Sequence, residues 1–431
     1  MKIHGKTATE IFECVRTLVQ TQRLHPGQLL PPVRELAEQL GVNRNTVAAA
    51  YRRLSTAGIA STQRRLGTSI RSLPAPGEQE GSQPGTTLID LAHGNPDPRW
   101  LPDLAALWRG RSYQPRLYGA DTVNPALANY ITQWCGPDCP AGFEVDLAHG
   151  AVDAIERLLF AYLRPGDKVA VENPCFLASI NLIRTSGLES VGVSVDAEGM
   201  RVDELRSALA KGVRAVILTP RAHNPTGCAL SAARALALRR LLEKHPHVLV
   251  IVDDHFALTS MARYHSVIPA AAPRWALVRS FSKALGPDLR VAAVASDAAT
   301  SQLLRTRLSP GGSWVSHFLQ DSIESALSRP DTARLMQQAR ADYAARRERL
   351  ERALHKEGIA CATGGDGLNL WIALSGGDQA AALSMARLGW LLRHGEAFSV
   401  QQRVHGLRIT LSALEADAAG KLAADLRRSL S

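Results

Sequence analysis

Apolar residues at Ile11, Phe12, Val15, Leu18 and Val19 recur at helical spacing and predict an amphipathic helix over about 7–22. His25-Pro26-Gly27 stops it. Pro31-Pro32 opens a second helix, whose buried stripe is Leu36, Ala37 and Leu40. Gly41 suits the turn that breaks this helix, and Asn43 suits the cap of a third, from 44 to about 57. Two helices across a short glycine-containing turn predict a helix-turn-helix. Its second helix would present Arg44, Asn45 and Thr46 to base edges. After Gly58 the pattern reads strand, basic turn, strand, a hairpin wing on which Arg64 and Arg65 reach phosphate or the minor groove.

The stretch SLPAPGEQEGSQPGTT, starting at Ser72, has no apolar period and predicts a flexible linker. It is assigned to 73–87, between a head at 1–72 and a body at 88–431. In the body, apolar runs at 168–172, 190–195, 215–218, 248–252 and 275–279 alternate with helical patterns at 153–163, 202–210 and 232–244. That alternation predicts a mostly parallel α/β sheet with ligand sites at the strand ends.

A length of 431 residues favours two or three domains, and 45% hydrophobic with 21% charged residues is ordinary for a soluble protein. No apolar run reaches membrane-span length, and the start carries no signal-peptide pattern, so a cytoplasmic protein is expected. Six scattered cysteines read as reduced thiols. Cys135 and Cys139 are close enough for a disulfide or half a metal site, but no second ligand pair follows, so no metal is expected. The net charge of +10 is concentrated in the first 72 residues, where eleven Lys or Arg face four Glu. Such a head calls for a polyanionic partner, here double-stranded DNA.

The body's chemistry lies in an ordered series: His223-Asn224-Pro225-Thr226-Gly227, Asp253, Ser280-Phe281-Ser282-Lys283, Arg290 and Arg408. Pyridoxal phosphate (PLP) needs a lysine amine for its aldehyde, an acid to keep its ring nitrogen protonated, and charged or backbone donors for its phosphate. Singly, each residue also has a plain reading. Lys283 and Arg290 could be surface cations, Asp253-Asp254 a solvated strand end, and Phe176 a core aromatic. The right types in the right order favour the cofactor.

The segment Leu30-Pro31-Pro32-Val33-Arg34-Glu35-Leu36-Ala37, followed by Gly41-Val42-Asn43-Arg44-Asn45-Thr46-Val47, resembles the GntR class of bacterial regulators. The resemblance implies DNA contacts at Arg34, Arg44, Asn45, Gly67 and Thr68. Residues 88–431 resemble fold-type I PLP enzymes of the aspartate aminotransferase superfamily. That implies a large subdomain at about 130–320 and a small one from 88–129 and 321–431. By the same resemblance, Lys283 takes the cofactor aldehyde, Asp253 faces the ring nitrogen, Asn224 donates to the ring hydroxyl and Phe176 stacks on the ring. Gly150, Ala151, Val152, Ser280, Ser282 and Arg290 would hold the phosphate. Arg408 would clamp an effector's α-carboxylate, and Tyr118 would enter the neighbouring subunit's site, which requires a homodimer. His255 departs from the tyrosine frequent at its position, and the stretch after Tyr118-Gly119 also departs from the usual pattern. Both changes spare cofactor binding more readily than fast catalysis.

Head, linker and body together resemble the MocR family of regulators. This implies a PLP-binding transcriptional regulator that binds operator DNA and senses PLP or an amino effector joined to it, and not primarily an enzyme. One branch of the family is associated with vitamin B6 salvage genes. The alternatives are a working aminotransferase with a DNA-binding appendage, and a DNA-binding protein whose body only dimerises.

Overall fold

The computed structural model describes residues 3–57, 59–63, 67–70, 78–82, 84–309, 314–362 and 364–430. The chain forms two compact units, and the second begins at Glu78.

The first unit is a winged helix-turn-helix. Helix α1 (Ala8–Gln20) starts where Thr7 Oγ1 accepts the Glu10 amide. Helix α2 (Val33–Leu40) ends at Gly41, which takes the left-handed φ of 62°. Helix α3 (Arg44–Thr56) is capped by Asn43, whose Oδ1 accepts the Asn45 amide at 2.8 Å. Strands β1 (Ala60–Gln63) and β2 (Gly67–Ile70) pair antiparallel, Ala60 opposite Ile70. Ile11, Val15, Leu36, Val47, Leu54 and Ile70 meet in one small core. So small a core leaves little margin. Asn43→Ala is therefore expected to cost the head about 1 kcal/mol through the lost cap, read as a lower unfolding midpoint of the isolated α3 signals by NMR.

The second unit is built on an eight-stranded sheet among the described residues. A short strand, β3 (Ile89–Asp90), lies outside it. The sheet consists of β4 (Glu144–Ala148), β5 (Lys168–Asn173), β6 (Glu189–Asp196), β7 (Gly199–Met200), β8 (Val213–Leu218), β9 (Leu249–Asp253), β10 (Trp275–Ser280) and β11 (Ala292–Ser296). Their spatial order is β4-β11-β10-β9-β8-β5-β6-β7. Strands β10, β9, β8, β5 and β6 are parallel; β11 runs against both β10 and β4. It follows that β4 runs with the parallel set, so the C-terminal ends of β4, β5, β8, β9 and β10 share one edge with the start of β11. Every strand expected from sequence is present.

A second layer is the sheet of β12 (Asn369–Ala373), β15 (Gly406–Thr410) and β14 (Arg393–His394), while β13 (Trp390–Leu391) pairs with β3. Its own core joins Leu91 to Leu350, Leu370, Trp390, Ile409 and Leu426.

Two boundaries differ from the sequence reading. Residues 88–129 were expected in the small subdomain, yet Leu107 and Leu127 are buried in the large core, beside Ile131 and Cys135 that were expected there. The same core takes Ile323 and Ala326, which lie beyond the expected limit of 320. In each case one apolar helix face chose the larger core. The linker differs as well: its residues 78–82 are fixed to the body by ion pairs and hydrogen bonds described below.

Candidate functional site

The site grows from the common strand edge. At the end of β9 stand two adjacent carboxylates with opposite fates. Asp254 is fully buried and fully used: Arg221 donates Nε and Nη2 to it at 2.8 and 2.9 Å, and Arg279 donates Nε at 2.9 Å. Arg279 also bonds Asp138 and the Trp134 carbonyl, and its guanidinium lies 4.8 Å from the Trp134 ring centre. Asp253 is buried too, at 4% exposure, but its Oδ1 has no hydrogen-bond partner among the described residues. The nearest cation-capable group is His255 Nδ1 at 3.6 Å, beyond hydrogen-bond length and itself unpartnered. A buried carboxylate oxygen without a donor is costly unless a ligand supplies one. The protonated ring nitrogen of PLP is a donor of the required kind.

Val278 pairs in register with Asp253, and Lys283 follows at the end of β10. Its Nζ donates to the Gly94 carbonyl at 2.6 Å. Removal from water lowers its pKa to about 8; Glu80 opposes that fall and Arg408 adds to it. The neutral amine is the nucleophile. Uptake of PLP is expected to speed up as pH rises toward about 8 and to level off above it, where an ordinary lysine would keep rising toward 10.5. Stopped-flow absorbance across that range checks the midpoint, which should fall further in Glu80→Gln because an anion that favours the ammonium is gone.

Phosphate-type donors gather at the end of β4. Gly150 precedes the helix Ala151–Tyr162 with φ 97° and no side-chain cap, so the first amides of Ala151 and Val152 face outward unpaired by a side chain. A methyl group on Gly150 would touch the Arg290 guanidinium at 3.7 Å. Arg290 is held there in a left-handed turn, φ 47°, just ahead of β11. Ser280 Oγ accepts the Ser282 amide at 3.2 Å and closes the turn from β10 into the short helix Ser282–Leu285. Phe176, past the end of β5, lies parallel to the His255 ring within 15°, centres 6.3 Å apart. These residues fit PLP: an unpaired acid, an enclosed amine, an aromatic face and an anion cradle share one edge.

The loop after β8 is anchored by His223, which is buried beside Glu172 at 3.3 Å and bonds Thr226 at 2.7 Å. Burial opposes charge on His223, but Glu172 and Cys228 together outweigh it and lift the pKa to about 10. Next to it, Asn224 Oδ1 accepts from Arg408 Nη1 at 2.9 Å. Arg408, on β15, is completely buried and stacks its guanidinium 5.0 Å from the Phe398 ring centre.

Sequence reasoning missed what Arg408 holds. Glu80, from the expected linker, forms a two-pronged pair with it, with Nη2 to Oε2 at 2.7 Å, and accepts Asn224 Nδ2 at 2.9 Å. Asn224 is therefore held by both Glu80 and Arg408, through its oxygen and one of its two Nδ2 hydrogens. Also unforeseen were His93 and Gly94, whose loop lies between Lys283 and this pair. Gly94 has φ 68°, and any Cβ there would collide with the Glu80 carboxylate. No local signal marks these residues.

Of the remaining sequence candidates, Tyr118 stands apart. It is 93% exposed and touches only the edge of Trp314 among aromatic rings. In the head, Arg44 and Asn45 are exposed at the start of α3 with Thr46 half-buried behind them, and Arg34 is exposed beside Glu38. Gly67 is exposed, whereas Thr68 is buried and its carbonyl accepts the Leu30 amide, which fixes the wing to the helices. Arg64 and Arg65 lie outside the described residues.

A winged helix-turn-helix joined to a PLP-transferase fold defines a class of bacterial regulator. Residues 7–70 match the model of the gntR family of bacterial regulatory proteins, and residues 86–426 match that of aminotransferase class I and II. The chain belongs to the aminotransferase class I and II family and carries a gntR-type head, the arrangement of MocR-type regulators. It is 52% identical to the vitamin B6 salvage pathway transcriptional repressor PtsJ of Salmonella typhimurium, over 99% of both chains. It is 24% identical to the probable rhizopine catabolism regulatory protein MocR of Rhizobium meliloti, over 79% of this chain and 75% of that one. In fold it is similar to the kynurenine aminotransferase of Pyrococcus horikoshii, with a TM-score of 0.72 at 20% identity, covering 80% and 91% of the two chains. No helix among the described residues is long and apolar enough to cross a membrane.

Proposed function

We propose that this chain is a transcriptional repressor that binds operator DNA through its winged helix and senses PLP at Lys283, acting on vitamin B6 salvage genes. The observation that carries the reading is the buried, unpartnered Oδ1 of Asp253, on the strand next to the one that leads to Lys283. The Salmonella relative's name supplies the regulated pathway. When bound, PLP supplies an aldehyde and an electron-poor ring. The chain's own residues supply the rest. Asp253 holds the ring-nitrogen proton, Lys283 offers an amine that gives up its proton far more readily than an ordinary lysine, and Arg290 with the Ala151 and Val152 amides balances the phosphate charge.

On this reading the functional unit is a homodimer, supported by the Leu117-Tyr118 pair, which stands 77% and 93% exposed on one protomer. Fluorescence anisotropy with the protein's own upstream DNA, with and without PLP, tests the proposal. A change in affinity of about fivefold or more is the expected size for coupled sites. Identical binding curves would reject sensing, and many turnovers between amino and keto acids would favour the enzyme reading instead.

A further inference from the structure

Arg408 is the group in this pocket best suited to hold a free carboxylate, yet the chain holds it with a carboxylate of its own. Glu80 meets Arg408 through both oxygens, and Asn224 bonds to both partners. Glu80 sits on a strap fixed at several further points. The Gly81 amide donates to the His93 carbonyl at 2.9 Å. Arg393 bonds the Glu78 carboxylate at 2.6 Å and the Gln79 carbonyl at 3.0 Å, and Asn181 bonds the Glu78 carbonyl at 2.8 Å. Burial alone would push the Glu80 carboxyl toward protonation, but the Arg408 charge and hydrogen bonds more than reverse this, so it stays ionised. Gly94 leaves room for the arrangement, since a side chain there would strike the Glu80 oxygens.

We propose that Glu80 is a specificity-determining residue, an internal carboxylate that fills the Arg408 clamp and keeps α-amino carboxylates out of the site. The ligand that enters freely is then one without a carboxylate at that position, as PLP itself is. The inference deepens the sensing function proposed above and rests on it only for the identity of the preferred ligand; the competition at Arg408 stands without it. Entry of an amino acid requires Glu80 to leave, and the strap leaves with it.

The test is titration calorimetry of the full chain with L-alanine, with and without PLP, comparing wild type with Glu80→Gln and Glu80→Ala. A tethered competitor acts at an effective concentration in the millimolar range, so its removal is expected to raise apparent affinity for L-alanine about tenfold. Adding Arg408→Gln to Glu80→Gln should abolish the gain. Equal affinity in wild type and Glu80→Gln, including none in either, overturns the proposal. In the wild type, hydrogen exchange at the Gly81 amide should speed up as L-alanine saturates; L-alanine bound with that amide unchanged overturns it as well. Because the cofactor-free titration reads the clamp alone, a protein that fails to take PLP would sink the sensing reading and leave this result standing.

Discussion

Lys283→Ala gives a chain that gains no visible absorption band when PLP is added and whose operator affinity no longer responds to PLP. The expectation follows from position and charge. Lys283 lies in the short helix Ser282–Leu285 just past the end of a central strand of the sheet, its amine is directed at the Gly94 carbonyl, and its lowered pKa leaves a substantial neutral fraction at pH 7.5. Alanine removes the nucleophile but leaves Asp253, the Gly150–Val152 helix start and Arg290 in place. PLP can then rest in the pocket only through noncovalent contacts. Two measurements separate the outcomes: an absorbance titration reads covalent capture, and anisotropy with upstream DNA reads the response. A variant that still changes its DNA affinity with PLP would mean that pocket filling, and not attachment to Lys283, is what the head senses.

How much of this could be read in the sequence depended on the range of the interaction. The head was legible nearly residue by residue, because caps and breakers act locally. Asn43 caps α3, Gly41 takes the left-handed turn, and Pro32 stands just ahead of α2. The strand-end residues were legible because the order of residue types along the chain maps onto one edge of a parallel sheet. The pair between Glu80 and Arg408 was not, since it joins positions 328 apart in sequence and its acidic member lies in a stretch without apolar period. One of two Glu among Pro, Gly, Ser and Gln carries no local mark of a buried partner. The helix Pro125–Cys135 was cut in two by the expected boundary at 129 for a related reason: nothing local tells which of two cores receives its apolar face.

The two neighbouring aspartates provide the largest expected effect on stability. Asp254→Ala leaves Arg221 buried without its carboxylate and deprives Arg279 of one of two anions, in a region closed to water. Removing one partner of a buried, hydrogen-bonded charge pair costs about 3–5 kcal/mol. The body should therefore unfold at a clearly lower temperature, read by calorimetry, with much of the soluble protein lost on expression. Asp253→Ala should behave in the opposite way. Its Oδ1 pairs with nothing among the described residues, so truncation removes a desolvated, unsatisfied oxygen and leaves no cation stranded at hydrogen-bond distance. Its thermal midpoint without PLP should stay at or slightly above that of the wild type, while the stabilisation gained on adding PLP should be lost. If instead Asp253→Ala destabilised the cofactor-free protein as severely as Asp254→Ala, Asp253 would be a structural anion, and the ring-nitrogen role would pass from it.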